Sequence, residues 1–121
     1  MAIHYEAKKD GDILRVRAWG KDDSLKDVII YGGSILGECL SNDVTRVITD
    51  ERELEYRIDT VEIYELARIY AELDGIIEKV AFVCSPEFLE DARFMENASK
   101  NRGLIYRAFD DYKAADEWVR E

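Results

Sequence analysis

KVAFVC, residues 79–84, with Ser85-Pro86 directly after it, is the stretch on which the fold turns. After Lys79 it is apolar without alternation. A strand with one wet face alternates, whereas a strand covered on both faces reads as a continuous apolar run. Ser85 is placed to cap a following helix. Pro86 suits its first position, where a missing N–H costs nothing. A buried strand feeding a helix is the repeating unit of an α/β sheet. The helix carries Phe88, Ala92, Met95 and Ser99 on its inner face and stops at Gly103. LIYRAF (104–109) is then the last strand, and Asp110 or Asp111 caps a final helix with Ala115, Trp118 and Val119 inward.

Working back toward the start, VTRVITD (44–50) is another strand. RELEYRID alternates Leu54, Tyr56 and Ile58, as a short extra strand or an ordered extended loop. Asp59 opens a helix, and Glu62 three residues on completes a capping-box pattern. Ile63, Leu66, Ala67, Tyr70 and Leu73 form its buried face, and Gly75 stops it. A helix over 24–40, capped by Ser24, places Leu25, Val28, Ile29, Gly32, Leu36, Cys39 and Leu40 on one face. IHYEAKK (3–9) and DILRVRAW (12–19) both alternate, and Asp10-Gly11 between them signals a hairpin. The order is β-β-α-β-α-β-α-β-α: an α/β fold with a five-stranded mixed sheet and an N-terminal antiparallel hairpin. The 121 residues suit one domain over 1–121.

Composition narrows the function. No run of about 18 apolar residues exists, and the first dozen residues lack the apolar stretch of a signal peptide, so a soluble cytoplasmic protein is expected. Net charge is −10. Residues 1–30 carry six basic and six acidic side chains, which leaves 21 acidic against 11 basic in the rest. Such a surface repels phosphate backbones and anionic membranes. It serves solubility, or it steers a basic protein partner. One histidine, His4, and two cysteines without short spacing, Cys39 and Cys84, support neither a metal site nor a redox dithiol. No metal or other cofactor is expected.

Cys84 lies at a strand-to-helix turn, where a helix N-terminus favours thiolate. It is either a reactive thiol or a packing residue. No histidine lies nearby in sequence, and the C-x-x-x-x-x-R phosphatase loop is absent, which favours packing. No Rossmann or Walker glycine loop sits between a strand and a helix, and the acidic and lysine positions of a phosphoaspartate receiver are not filled. Two surface candidates remain. Asp50-Glu51-Arg52 and Asp59-Thr60, between the third strand and second helix, are a possible partner or ligand loop or phospho-switch, against the plainer role of a cap with surface ion pairs. Gly33 and Gly37 form a G-x-x-x-G strip beside Ile30 in the first helix. The strip is a candidate contact surface, and close helix–sheet contact at Gly32 is the plainer account of the glycines.

The segments YEAKKDGDILRVRAWG, VTRVITDER, LEYRIDTVEIYELA, KVAFVC and RAFDDYKAADEWV resemble, in order and spacing, the SpoIIAA-like proteins. These small bacterial domains are related in fold to STAS domains and CRAL-TRIO lipid-binding domains. The resemblance covers nearly the whole chain and rests most on Asp50-Glu51-Arg52 and Ala115-x-x-Trp118. It implies a β-α superhelix with a mixed sheet and no catalytic residues. It also points to a regulatory domain that binds a protein partner as anti-sigma factor antagonists do; a homodimer is expected alongside it from the contact strip on the first helix. Those antagonists are switched by phosphorylating a serine at the helix after the third strand; here Thr60 is the only hydroxyl in Asp59-Thr60-Val61-Glu62. The alternative it implies is a small-ligand or lipid carrier.

Overall fold

The computed structural model describes residues 3–22, 24–57, 59–70, 76–100 and 105–121. The side chains of residues 60, 63, 64, 67, 70 and 98–100 lie outside that description. So do the expected helix stops Gly75 and Gly103, and the inward positions Ile58, Ile63, Ala67, Tyr70, Leu73 and Ser99.

The hairpin pairs β1 (Ile3–Asp10) with β2 (Ile13–Asp22) antiparallel. Its two-residue loop is Gly11-Asp12, one residue later than the Asp10-Gly11 signal. Gly11 has φ +61°, the left-handed backbone that a primed turn needs at its first central position. Then follow α1 (Leu25–Asn42), β3 (Arg46–Tyr56), α2 (Thr60–Tyr70) and β4 (Lys79–Val83). A 3-10 turn (Pro86–Phe88), α3 (Leu89–Lys100), β5 (Tyr106–Phe109) and α4 (Tyr112–Arg120) complete the chain. The five-stranded sheet runs β1-β2-β3-β4-β5, with every pair after the hairpin parallel. Strands added one by one in the same direction put α1, α2 and α3 on one face, as the right-handed rule for parallel crossovers requires. The chain ends by laying α4 across β3, β4 and β5 on the other face.

Two apolar layers result. Val47, Phe82, Cys84, Met95 and Leu66 belong to the layer under α1–α3, and Ile48, Ala81, Val83, Ala115 and Val119 to the layer under α4. Successive residues of β4 enter opposite layers, which is why its sequence cannot alternate. Ile48, Val83 and Val119 are fully buried, each contributing about 1.5–3 kcal/mol of transfer free energy.

Caps follow the sequence with one exception. The Ser24 hydroxyl accepts the Asp27 N–H at 3.2 Å, and Asp111, not Asp110, caps α4 through the Lys113 N–H at 3.1 Å. Asp59 and Glu62 exchange reciprocal bonds at 3.2 and 2.9 Å, a complete capping box. Ser85 sits at the N-cap but makes no side-chain cap bond, because the chain enters α3 through the tighter 3-10 turn.

Two expectations change. In α1 the buried face is Val28, Tyr31, Ile35 and Cys39, whereas Ile29 and Leu40 point to solvent. The helix has apolar residues around most of its circumference, so docking onto the sheet, not periodicity, chose the face. RELEYR is neither a separate strand nor a loop. It continues β3, pairing Glu53 through Tyr56 with Trp19, Gly20, Lys21 and Asp22 of β2.

Candidate functional site

Alternation along β3 splits the expected Asp50-Glu51-Arg52 cluster. Val47, Thr49 and Glu51 face the helices; Ile48, Asp50 and Arg52 face the other side. Between Arg17 and Trp19 the register with β2 slips, since Arg17 pairs with Asp50 but Trp19 with Glu53. One extra residue in β3 is a bulge, and it turns Leu54 and Tyr56 inward after Glu51.

Inside, Glu51 is 6% exposed. The Tyr31 hydroxyl donates to its Oε2 at 3.1 Å and the Tyr56 hydroxyl to its Oε1 at 2.5 Å. Burial pushes the Glu51 carboxyl above the usual carboxylate range, and the two tyrosine bonds only partly offset it. Tyr56 is also raised, by burial and by the adjacent Glu51. Asp22, also buried, accepts the Arg57 backbone N–H. The Thr49 hydroxyl lies beside the same carboxyl without closing a hydrogen bond.

Two cavities meet this cluster. One, of about 70 Å³, is lined by Glu51, Tyr31, Tyr56, Phe82, Leu66 and Met95. The other, of about 60 Å³, is lined by Thr49, Glu51, Tyr31, Leu36, Ile77 and Tyr106. Each has room for a few waters or a handful of heavy atoms; Asp22 and Asp91 also line the first, and Tyr106 lines both.

The opposite face is charged and open where α4 does not reach. Arg17 bridges Glu6 at 3.4 Å and Glu53 at 2.8 Å, with its guanidinium 4.7 Å from the Trp19 ring. Arg15 bonds Asp10, Asp116 and the Tyr112 hydroxyl. Arg52 grips both carboxylate oxygens of Asp50 at 2.7 and 2.8 Å. Partial burial raises the Asp50 carboxyl, but these bonds outweigh it and hold it below the usual range.

Comparison with solved structures places this architecture. An anti-sigma factor antagonist from Mycobacterium paratuberculosis superposes with a TM-score of 0.65 at 14% identity, covering 98% of this chain and 95% of its own. An uncharacterized protein of the DUF3478 family from Shewanella loihica PV-4, described as having a SpoIIAA-like fold, superposes with a TM-score of 0.58 at 17% identity, covering 98% and 94%. The chain has the SpoIIAA-like fold. No protein-family model matches the sequence, and no curated protein matches it.

Within the SpoIIAA-like fold the expected site residues separate. Asp50, Glu51 and Arg52 lie inside β3, not in a loop after it, because β2 runs on to Asp22 and keeps pairing. Six strand residues, about 20 Å, separate Asp50 from the end of β3, and Asp59-Thr60 lie beyond that. Thr60 is the first residue of α2, and its side chain lies outside the described residues. The carboxylates of Asp59 and Glu62 already occupy that helix start, so a phosphate there would meet two like charges. Cys84 is fully buried, its thiol 3.6 Å from the Phe109 carbonyl oxygen; burial, then Glu51 and Asp110, push it up to about 11. A protonated, enclosed thiol is a poor nucleophile, so Cys84 packs. Cys39 is buried and raised to about 11 in the same way. Tyr31, Tyr56 and Thr49 were not anticipated. The parity of β3 signals Thr49, in step with Val47; Tyr56 lies past the bulge in the other phase and Tyr31 stands on α1, so neither had a sequence signal of that kind.

Proposed function

We propose that this is a non-enzymatic regulatory domain that works through protein contacts, with the outer strip of α1 as its contact surface. The open space at Gly33 and Gly37 carries the proposal. A Cβ added at either position would meet nothing within 4 Å. Each interior glycine nonetheless weakens the helix by about 1 kcal/mol relative to alanine. Packing among the described residues therefore gives no reason for either glycine, whereas the close approach of another backbone does. Ile30, 40% exposed, and Leu40, 65% exposed, supply apolar area along the same helix. The likeness to an anti-sigma factor antagonist supports a protein partner at the level of fold.

The test is Gly37→Leu. The variant is expected to fold with unchanged or higher thermal stability and to lose a protein that wild type retains on affinity capture from its source cells. A variant that unfolds, or that captures the same protein as wild type, defeats the proposal.

The Glu51 cavities favour a second reading, a binder of a small, mainly apolar molecule with one polar group. Such a molecule would place that group at Glu51, Tyr31 and Thr49. Native mass spectrometry of protein isolated from source cells reads it directly: a mass increment lost in Glu51→Ala supports it, and a bare chain removes it.

A further inference from the structure

Among the described residues, the outer edge of β1 is a row of N–H and C=O groups with no neighbouring strand, since β1 pairs there only with β2 at one end of the sheet. Edges of this kind recruit other strands unless charges forbid it. Here the charges follow a particular pattern. His4, Glu6, Lys8 and Asp10 all point to the face away from α1, beside Trp19, Arg17, Arg15 and Ile13 of β2. Lys8 stands directly opposite Arg15, a like-charge cross-strand pair in which Asp10 and Asp116 bridge the arginine and leave the lysine to be matched.

A twofold axis perpendicular to the sheet would lay β1 antiparallel against its copy and keep each set of helices on its own face. Such an axis must pass between two equivalent residues. Centred on Glu6 it opposes Glu6 to Glu6, and centred on Lys8 it opposes Lys8 to Lys8. Centred on Tyr5 or Lys9 it shortens the ladder. Centred on Ala7 it sets Glu6 against Lys8 of the second copy and His4 against Asp10 of the second copy, each twice. It also gives each Lys8 a carboxylate that offsets the nearby Arg15.

We propose that a second copy of this chain pairs with the free edge of β1, antiparallel and centred on Ala7, joining the two sheets into one of ten strands. The lysine keeps most strands off the edge, and the glutamate two residues earlier makes this one register self-complementary. The argument rests on residues of β1 and β2 and does not depend on what the α1 strip binds.

Sedimentation velocity of the full chain tests it. Wild type is expected to dimerise, more weakly at high salt because the pairs are exposed. Lys8→Glu inverts two symmetric pairs together and is expected to weaken the dimer about tenfold or more. Its melting temperature as a monomer should not fall, because the Lys8–Arg15 opposition is removed. Glu6→Lys combined with Lys8→Glu restores both interchain pairs and should restore the dimer. A monomeric wild type, a Lys8→Glu dimer as tight as wild type, or a double variant that stays monomeric would each overturn the proposal.

Discussion

Asp50 and Glu51 are adjacent carboxylates on one strand, and the two faces of the sheet treat them oppositely. Asp50 lies on the face that α4 leaves partly open, gripped by an arginine, and its carboxyl is held in the charged form. Glu51 lies under three helices with two tyrosine hydroxyls and, among the described residues, no cation bonded to it, and its carboxyl is pushed toward the neutral form. Covering a face removes water; whether an acid survives as an anion then depends on a countercharge following it in. The open face therefore matches charges pair by pair. The covered face relies on apolar contact around a small polar cluster.

Truncation should expose the largest difference. Phe82→Ala, beneath α3 and against Tyr106 at 4.4 Å between rings, is expected to cost about 3–5 kcal/mol in urea unfolding. Trp19→Ala on the open face should cost well under half of that, since its ring is partly solvated already. Equal costs would mean that the faces do not differ as described.

A second break comes from pH. The folded Glu51 holds its proton above the usual range, so the unfolded chain releases it first as pH rises. Stability from this group is therefore complete below about 4.5 and declines through the window above it, by at most about 1.4 kcal/mol per pH unit. Glu51→Gln should remove that decline, so the variant gains on wild type between mildly acidic and neutral pH in parallel denaturation curves. A constant difference between the two would show that Glu51 titrates normally.

The smallest effect belongs to Asp50→Asn. Its folded carboxyl is depressed, so its contribution is present at neutral pH and lost as pH falls through the acid range, the reverse of Glu51. Arg52 is half exposed and solvent screens the pair, so about 0.5 kcal/mol is expected at neutral pH. A loss several times larger would make this a structural ion pair.

Much of the fold was legible because the relevant signals are local. KVAFVC reads as doubly covered from its lack of alternation alone. Asp59 and Glu62 reveal a helix start because the capping box closes within four residues. The β3 region was legible only in part, and the reason is the bulge. Alternation runs through Val47, Thr49 and Glu51, then restarts in the other phase at Leu54 and Tyr56. One strand therefore reads as a strand plus something else. The site was hidden by the same slip, since Tyr56 and Glu51 look out of phase until the extra residue is known.

By itself the sequence determined the strand and helix order, the hairpin, the helix starts and the two-sided burial of β4, because each depends on neighbours within a turn or on a period of two. Tertiary structure alone decided which quadrant of α1 meets the sheet, where β3 ends, and that Glu51 goes inside while Asp50 stays out. Those outcomes depend on surfaces brought together from distant parts of the chain: β2 running on to pair with β3, and three helices closing over one face while α4 covers only part of the other.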